Sequence, residues 1–402
     1  MVAYKSKGIS QNIMRIYFYL KRGLFIILRL LKLGSMFFGI LPAVLAQSQP
    51  AVNNNCYQAN QLTLQVIQSL LVSNPRGWDF FSIGNSRYLA AAEFTDNYPT
   101  GNKDIDSHIF QWDGKKFVTF QSILTHGARN WSYVSIHGKH FLMVANLQTS
   151  QHQKNSYKVN SIIYQWNGKR FISYQKIPTD QVVDLKFAKI RNNYYLILAS
   201  ISKNSYSPIY KWDGKRFKPY QRIKTSEIYG FQIFTIHGNT YLAMGSGGNI
   251  SSIYIWKNNR FVLAQSLPIG EVRGVTFFSH QNHQYLALAS QAATSSIYQW
   301  MGNQFSLVKK DSLAGGRNWL YLVYSNNAYL LLSHFIHNQP KDTIFYLSIY
   351  KFKGHTIVKI EDLPTYGIGE MVAFQMNNTQ YVLLNRFFAD TPIYKVSKQG
   401  CQ

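Results

Sequence analysis

Residues Ile209 to Ile223 read IYKWDGKRFKPYQRI, two runs of alternating apolar and polar residues joined by an Asp-Gly pair. This pattern predicts a β-hairpin, because an Asp-Gly or Asn-Gly turn fits the twist of two antiparallel strands. The stretch recurs along the chain: close copies begin at Ile109, Ile163, Ile253 and Ile297, and weaker copies begin at Ile349 and Ile393. Seven copies of one hairpin predict a repeat architecture.

A second recurring unit lies between the hairpins, as in residues 229–245 (YGFQIFTIHGNTYLAMG). It reads as a strand, a tight turn and a strand that ends in small residues, which suit a crowded position near a central axis. One unit and one hairpin together make a four-stranded antiparallel meander, with the unit innermost. Aromatic residues, which pack well on a pleated sheet, make up 15% of the chain, in agreement with an all-β fold.

The two ends of the repeat region complete each other. Residues 62–70 resemble the second strand of the hairpin without the first, and residues 393–396 resemble the first without the second. Both therefore belong to one sheet, which predicts a seven-bladed β-propeller over residues 61–402 that is closed by its N-terminal strand. Cys56 and Cys401 flank these two strands, so we expect a disulfide; two free thiols are the alternative.

Residues 1–46 carry a targeting signal. A basic stretch leads into apolar runs that end at Ala46, which is typical of a signal peptide. A retained membrane anchor through residues 23–46 is the alternative, although Arg29 and Lys32 interrupt it. Either interpretation places the rest of the chain outside the cytoplasm, as a secreted, cell-surface or periplasmic protein, with residues 47–60 as a linker.

The chain is strongly basic, with 42 Lys and Arg against 17 Asp and Glu. Such an excess favours an anionic partner, although a basic surface can also serve solubility alone. Nucleic acid is not expected, because the basic pairs lie in separate hairpin turns and form no continuous groove. These pairs are Lys115-Lys116, Lys169-Arg170 and Lys215-Arg216.

Motifs of catalysis are missing from the sequence, which contains no G-x-S-x-G, H-E-x-x-H or P-loop pattern. We therefore expect a binding or adhesion module and not an enzyme. Because β-propellers also carry hydrolases and lyases, an enzyme acting on an acidic polymer stays open as the alternative.

The repeat consensus resembles the epitempin repeat, also called the EPTP or EAR repeat. The residues that carry the likeness are those of the pattern Ser-x-Ile-Tyr-x-Trp with a later Gln, seen at Ser251, Ile253, Tyr254, Trp256 and Gln265. The resemblance covers about residues 61–397 and implies a seven-bladed propeller of secreted or cell-surface proteins that binds receptors. A WD40-like scaffold is the rival, because Trp-Asp pairs occur, but the upstream Gly-His of that repeat is missing.

Three insertions lengthen the connection between the second and third strands of a blade, at residues 95–107, 148–160 and 334–346. In a meander these connections share one face, here called the top face, with the links between blades, and long polar loops on a rigid scaffold often bind partners. We expect the partner, an extracellular protein or an acidic polysaccharide, to contact Tyr98, Lys103, Asp104, Asp106, His152, Lys154, Tyr157, Lys158, His337, Lys341 and Asp342.

Oxygen-bearing side chains recur where the innermost strands begin, near the axis at the top face. Converging carboxylates repel one another unless a cation neutralises them, and oxygen ligands suit Ca²⁺. The sequence thus predicts a cation site in the central channel, with a hydrated polar ring as the alternative. Its residues are Asp79, Asn130, Asp184, Asn318 and Glu370.

Overall fold

The structure is a computed structural model that describes residues 55–59, 61–150, 156–203, 205–292, 294–336, 339, 343–387, 389–398 and 401. The predicted signal peptide or anchor lies outside these residues. Within the described part of the chain, no helix has the length and apolar character needed to cross a membrane.

The described residues form strands of similar length joined by short turns. The strands are β1 (Cys56–Ala59), β2 (Leu62–Leu70), β3 (Pro75–Ile83), β4 (Ser86–Glu93), β5 (Asp104–Trp112), β6 (Phe117–His126), β7 (Ala128–Ile136), β8 (Lys139–Asn146), β9 (Lys158–Trp166), β10 (Phe171–Asp180), β11 (Val182–Ile190), β12 (Asn193–Ser200), β13 (Ser205–Trp212), β14 (Phe217–Thr225), β15 (Ile228–Ile236), β16 (Asn239–Ser246), β17 (Ser251–Lys257), β18 (Arg260–Leu267), β19 (Val272–His280), β20 (His283–Ser290), β21 (Ser296–Trp300), β22 (Phe305–Lys310), β23 (Gly316–Tyr324), β24 (Asn327–His334), β25 (Phe345–Lys353), β26 (Thr356–Thr365), β27 (Ile368–Met376), β28 (Thr379–Arg386) and β29 (Thr391–Ser397).

The strands form seven antiparallel sheets, which confirms the predicted seven-bladed propeller. Six sheets contain four consecutive strands each, from β3–β6 to β23–β26, and the seventh has the order β1-β2-β29-β28-β27. The innermost strands β3, β7, β11, β15, β19, β23 and β27 contact one another in succession, and β27 returns to β3. The blades therefore form a closed ring.

The seventh blade joins the two ends of the propeller. Strand β2 pairs with β29, with Leu64 opposite Val396. The disulfide between Cys56 and Cys401 also forms, with 5.8 Å between the Cα atoms, as predicted. One feature differs from the expectation: β1 lies within the predicted linker and pairs with β2, so this blade has a fifth, outermost strand.

Apolar cores fill the spaces between neighbouring blades. Between blades β3–β6 and β7–β10, for example, Phe81 and Ala90 of one blade pack with Trp131 and Leu142 of the next. Trp131 is 2% exposed and Ala90 is 0% exposed. Each blade contributes large and small side chains that interdigitate with those of its neighbour, and the residues that face this core alternate along each strand.

The glutamine of the repeat joins neighbouring blades. A β-bulge in each outer hairpin accompanies this residue, as between Ile209 and Tyr210 in the β13–β14 pair. Its side-chain amide donates to a backbone carbonyl of the next blade and its side-chain oxygen accepts from the N–H of the same residue. Two hydrogen bonds of this kind link Gln68 to Phe117, Gln121 to Phe171, Gln175 to Phe217, Gln221 to Phe261 and Gln265 to Phe305.

Two blades lack this glutamine. The strand register places Lys309 and Glu361 at its position, opposite Ile297 and Ile349. These are the blades before the two repeats in which Phe352 and Val396 replace the tryptophan. The last blades thus keep the fold without the polar link that the others share.

Candidate binding site at the top of the channel

The insertions and the links between blades lie on the same face, as predicted. The N–H of Gly127, in the link between β6 and β7, donates to the backbone oxygen of Lys103 at 2.6 Å, and the N–H of Leu147 donates to the oxygen of Gly127 at 3.1 Å. The β4–β5 insertion, a blade link and the start of the β8–β9 insertion are therefore in direct contact on the top face.

Asp104 holds the first two insertions together. Its carboxylate accepts from the Thr149 hydroxyl and from the N–H of Ser150, both at 2.9 Å, and it also bonds to the His126 ring. An acidic residue engaged in this way orders the loops and is poorly placed to bind a partner. We predicted Asp104 as a contact residue, and the structure gives it this internal role.

Lys103 is also internal, contrary to its predicted place in the contact surface. It is 2% exposed, and its ammonium group donates to Thr95 Oγ1 and to the backbone oxygens of Pro99 and Gly101. A buried ammonium needs such acceptors, because an unsatisfied one is costly to desolvate. The side chain stabilises the β4–β5 loop from within and is not available to a partner.

The other predicted contact residues differ in exposure. Asp106, Tyr157 and Lys158 are exposed, and their contact with a partner stays a prediction. Tyr98 is half-buried, with the Arg76 guanidinium 4.9 Å from its ring centre. The remaining predicted contacts, His152, Lys154, His337, Lys341 and Asp342, lie outside the described residues.

Four of the five predicted channel residues occupy one level of the ring. Asn130 pairs with Ala145, Asp184 with Ala199 and Asn318 with Ser333 in equivalent strand positions. Glu370 has the equivalent position in the seventh blade, because the next residue, Met371, pairs with Leu384 as Trp319 pairs with Leu332. Asp79 does not belong to this level. The residue equivalent to Asn130 in the first blade is Gly77, which pairs with Ala92, so Asp79 lies two residues deeper, about 7 Å along the strand.

These side chains bond to the next blade. Glu370 accepts from the N–H of Trp78 at 2.9 Å, and Asn318 Oδ1 accepts from the N–H of Met371 at 3.2 Å. Asp184 accepts from the side chain of Asn130 at 2.6 Å. At its deeper level, Asp79 accepts from the N–H of Tyr133 at 2.6 Å. The polar ring thus joins the innermost strands.

This arrangement does not form a compact set of metal ligands. Among the described residues, no group of three or more His, Cys, Asp or Glu is placed to hold a metal ion. The acidic residues are spread over two levels and already bonded to neighbouring strands. Calcium in the channel therefore stays a prediction.

Burial makes the channel carboxyl groups weak acids. It raises the pKa of Glu370 to about 8, with Asp184 adding repulsion, and it raises the pKa of Asp79 to about 7. Burial also raises the pKa of Asp184. A neutral carboxyl group avoids the desolvation and mutual repulsion of buried charges, so protons can serve in place of a cation here.

Sequence reasoning missed four arginines directly above this level. Arg76, Arg129, Arg273 and Arg317 each precede the ring position of their blade and line a cavity of about 140 Å³. The repeated Arg-Gly or Arg-Asn pair at the start of the innermost strand was the available signal. These four residues are called the arginine cluster below. Lys186, Asp184 and Glu370 line the same cavity on the channel side.

Aromatic rings hold the guanidinium groups. The Arg76 guanidinium lies 4.7 Å from the centre of the Phe387 ring and 5.0 Å from that of Phe94. The Arg273 guanidinium lies 3.6 Å from the centre of the Tyr229 ring, and the Arg317 guanidinium lies 5.1 Å from the centre of the Phe387 ring. Ring faces attract cations without neutralising them, so the cluster keeps its charge.

Few carboxylates balance the cluster. Arg273 pairs with Glu271 at 2.7 Å, whereas neither Arg76 nor Arg129 forms an ion pair with a described residue. Burial, together with repulsion from Arg273, lowers the pKa of Arg317 to about 9, and burial lowers that of Arg129 to about 10. At neutral pH Arg129 and Arg317 therefore stay protonated and give the cavity positive charge.

Comparison with known proteins agrees with the repeat pattern. A family model described as EPTP domain matches residues 64–113, 116–167, 170–213, 216–257 and 260–301. A Homo sapiens protein named "Thrombospondin-type laminin G domain and EAR repeat-containing protein" is 31% identical over 137 residues, 33% of this chain and 19% of that protein. The Mus musculus protein of that name is 30% identical over 137 residues, again 33% of this chain and 19% of that protein. The chain thus spans about a fifth of the length of these relatives.

The matched segments follow the blades. Each begins at the fourth strand from the axis of one blade and ends after the third strand of the next, and together they cover more than half of the chain. The unmatched last two repeats are those that lack the tryptophan. The chain belongs to the EPTP domain family, whose repeat suggests a module for protein interaction.

Proposed function

We propose that the chain is an exported recognition module that binds an anionic partner, a protein or an acidic polysaccharide, through the top face of its propeller. The observation that carries this proposal is a rigid top face with an open basic cavity at its centre. Asp104 and Lys103 order the insertions from within, while Tyr157 is 41% exposed beside them. A rigid scaffold with exposed loops lowers the entropy lost on binding.

Export is supported by the disulfide between Cys56 and Cys401. Such bonds form and persist in oxidising compartments and are rare in the cytosol. The bond joins the two ends of the propeller, so an oxidising environment would also favour the closed ring. The location can be tested by fractionating cells and mapping the disulfide in the recovered protein.

Binding is favoured over catalysis by the state of the channel acids. A general acid or base needs a raised or lowered pKa and access to a substrate. Glu370 and Asp79 have raised pKa values, but each accepts a backbone hydrogen bond from the next blade, at Trp78 and Tyr133. These contacts give the carboxyl groups a structural role, so we propose no enzymatic activity.

The test is retention of the full chain on immobilised acidic protein and on immobilised polygalacturonate. A variant with Tyr157→Ala and Lys158→Gln changes the top face, and a matched variant with Val118→Ala and Lys116→Gln makes the same kind of change at the opposite end of a blade. We expect the first variant to elute earlier than the wild type and the second to elute with it.

Two outcomes would contradict the proposal. Earlier elution of the Lys116 variant alone would assign binding to the basic turns on the opposite face. Depolymerisation of polygalacturonate by the protein would make it an enzyme on an acidic polymer.

A further inference from the structure

We infer that the arginine cluster is a binding site for an acidic side chain, a Glu or Asp carboxylate, on a partner protein. The inference rests on the proposed recognition through the top face and specifies its central contact. Three donors at the cavity have no acceptor: Arg76 Nε, Arg129 Nε and Arg273 Nη1 are buried and form no hydrogen bond among the described residues. Donors buried in this way are rare in folded proteins and call for a ligand.

The geometry of the donors matches a carboxylate. A guanidinium is a planar fork of N–H groups that can donate two parallel bonds to the two oxygens of a carboxylate. The rings of Phe387 and Tyr229 already orient the guanidinium groups of Arg76 and Arg273, so little side-chain entropy remains to be lost on binding. The guanidinium groups are therefore preorganised for anion binding.

The cluster is unfavourable for the protein alone. Four like charges line one cavity together with Lys186, against the carboxyl groups of Asp184 and Glu370, which burial makes weak acids. Replacing buried, poorly compensated charges with apolar residues often stabilises a protein. Residues that reduce stability in this way are typical of functional sites.

The size of the cavity favours a side chain over a polysaccharide. A volume of about 140 Å³ accommodates one carboxylate and its short stem. The methylene groups of a glutamate would contact the aromatic rings of Tyr229 and Phe387 while its carboxylate meets the guanidiniums. A charged polysaccharide would need a groove that binds several anionic groups in a row, and the described cavity is a single depression at the axis.

The test uses isothermal titration calorimetry on the full, disulfide-bonded chain at 0.15 M salt, about physiological ionic strength. The probes are a terminally blocked hexaglutamate peptide, a blocked hexaglutamine peptide and an oligogalacturonate with the same number of carboxylates. We expect hexaglutamate to bind at one site, hexaglutamine to give no heat, and oligogalacturonate to bind more weakly than hexaglutamate.

Variants locate the site. Arg76→Gln with Arg129→Gln removes two charges from the cavity, and Lys115→Gln with Lys116→Gln removes two from an exposed turn. Because each charge-assisted bond contributes strongly, we expect the first pair to weaken hexaglutamate binding at least about tenfold and the second pair less than about twofold. Arg129→Lys keeps the charge but loses the fork, so we expect an intermediate loss.

The results that would overturn the inference are distinct from those against the proposed function. Equal weakening by both pairs would show attraction to overall charge. Full affinity of Arg129→Lys would show that the fork is not used, and tighter binding of oligogalacturonate would assign the cavity to a polysaccharide. If the cavity variants bind normally while the Tyr157 and Lys158 variant does not, top-face recognition stands and the arginine site fails. Should the double cavity variant not fold, Arg129→Lys alone decides.

Discussion

Replacing Gln221 by alanine tests whether the repeat glutamine holds neighbouring blades together. Its side chain donates to the Phe261 oxygen at 2.8 Å and accepts from the Phe261 N–H at 2.9 Å. Phe261 is 3% exposed, so the variant leaves a buried N–H and a buried carbonyl without a partner. Each unsatisfied group costs about 1–3 kcal/mol, so for the two groups we expect a loss of about 2–6 kcal/mol in the free energy of unfolding.

The loss can be converted to a melting temperature. Unfolding entropy is about 2.1 cal/mol/K per residue, so for a propeller of roughly 340 residues the melting temperature should fall by about 3–8 °C. Differential scanning calorimetry measures this directly. Gln304→Ala is the matched control, because Gln304 has an exposed side chain in the turn between β21 and β22.

The same reasoning predicts a gain where the glutamine is missing. Lys309→Gln restores the side chain in the fifth blade, and Ile357 of the next blade occupies the position of Phe261, since it pairs with Phe352 as Phe261 pairs with Trp256. We expect a rise of about 1 kcal/mol, or 1–2 °C. Equal melting of the Gln221 and Gln304 variants, or a lower melting temperature for Lys309→Gln, would refute the role assigned to the glutamine.

Three further changes give expected outcomes. Cys56→Ser with Cys401→Ser opens a loop of 345 residues and should lower the melting temperature, by at most the equivalent of about 6 kcal/mol; unchanged melting would mean that the β2–β29 pairing alone closes the ring. Burial raises the pKa of Glu370 to about 8, so the folded state binds its proton more tightly and stability falls as pH rises from about 4.5 to 8. Glu370→Gln should therefore melt higher than the wild type at pH 8.5 and close to it near pH 5, and a constant difference across this range would contradict the titration. Arg129→Met should melt no lower than the wild type without ligand, because burial lowers the pKa of Arg129 to about 10; a fall as large as that of the Gln221 variant would make the arginine a structural residue.

The fold could be predicted because its determinants are local and repeated. Alternating residues and short hairpin turns with Gly or Asn recur along the chain, and the incomplete repeats at the two ends identify the closing sheet. The disulfide followed from the same closure. Strand β1 was missed because the four residues Cys56–Ala59 are too few for an alternating pattern to be recognised, and its pairing with β2 makes it a strand.

The site was less predictable because its members come together only through the ring. Arg76 and Arg317 are far apart in sequence, and each alone resembles an ordinary strand residue. The error at Asp79 has a related cause. The sequence prediction aligned Asp79 with Asn130. In the structure Trp78 occupies the position of Trp131, so the residue equivalent to Asn130 is Gly77.

Lys103 and Asp104 show a second limit. Both are charged residues in a long polar insertion, which usually indicates an exposed binding loop. The loop instead folds over the Lys103 ammonium, and Asp104 accepts bonds from the neighbouring insertion at Ser150. Sequence composition cannot separate a charge that orders a loop from one that faces a partner, because the two differ only in their tertiary contacts.

Glycine at the ring level connects the scaffold to the arginine cluster. A Cβ atom at Gly77 would lie 2.6 Å from the backbone oxygen of Arg129, and one at Gly274 would lie 2.5 Å from that of Arg317. Any larger residue would have to push the next blade outward. Each of these glycines therefore lets the arginine-bearing strand of the next blade pack closely against it. This packing places the guanidinium groups of the cluster around one cavity. The close approach that packs the inner strands is thus also what concentrates positive charge in the cavity, so the geometry of the ring itself creates the candidate anion site.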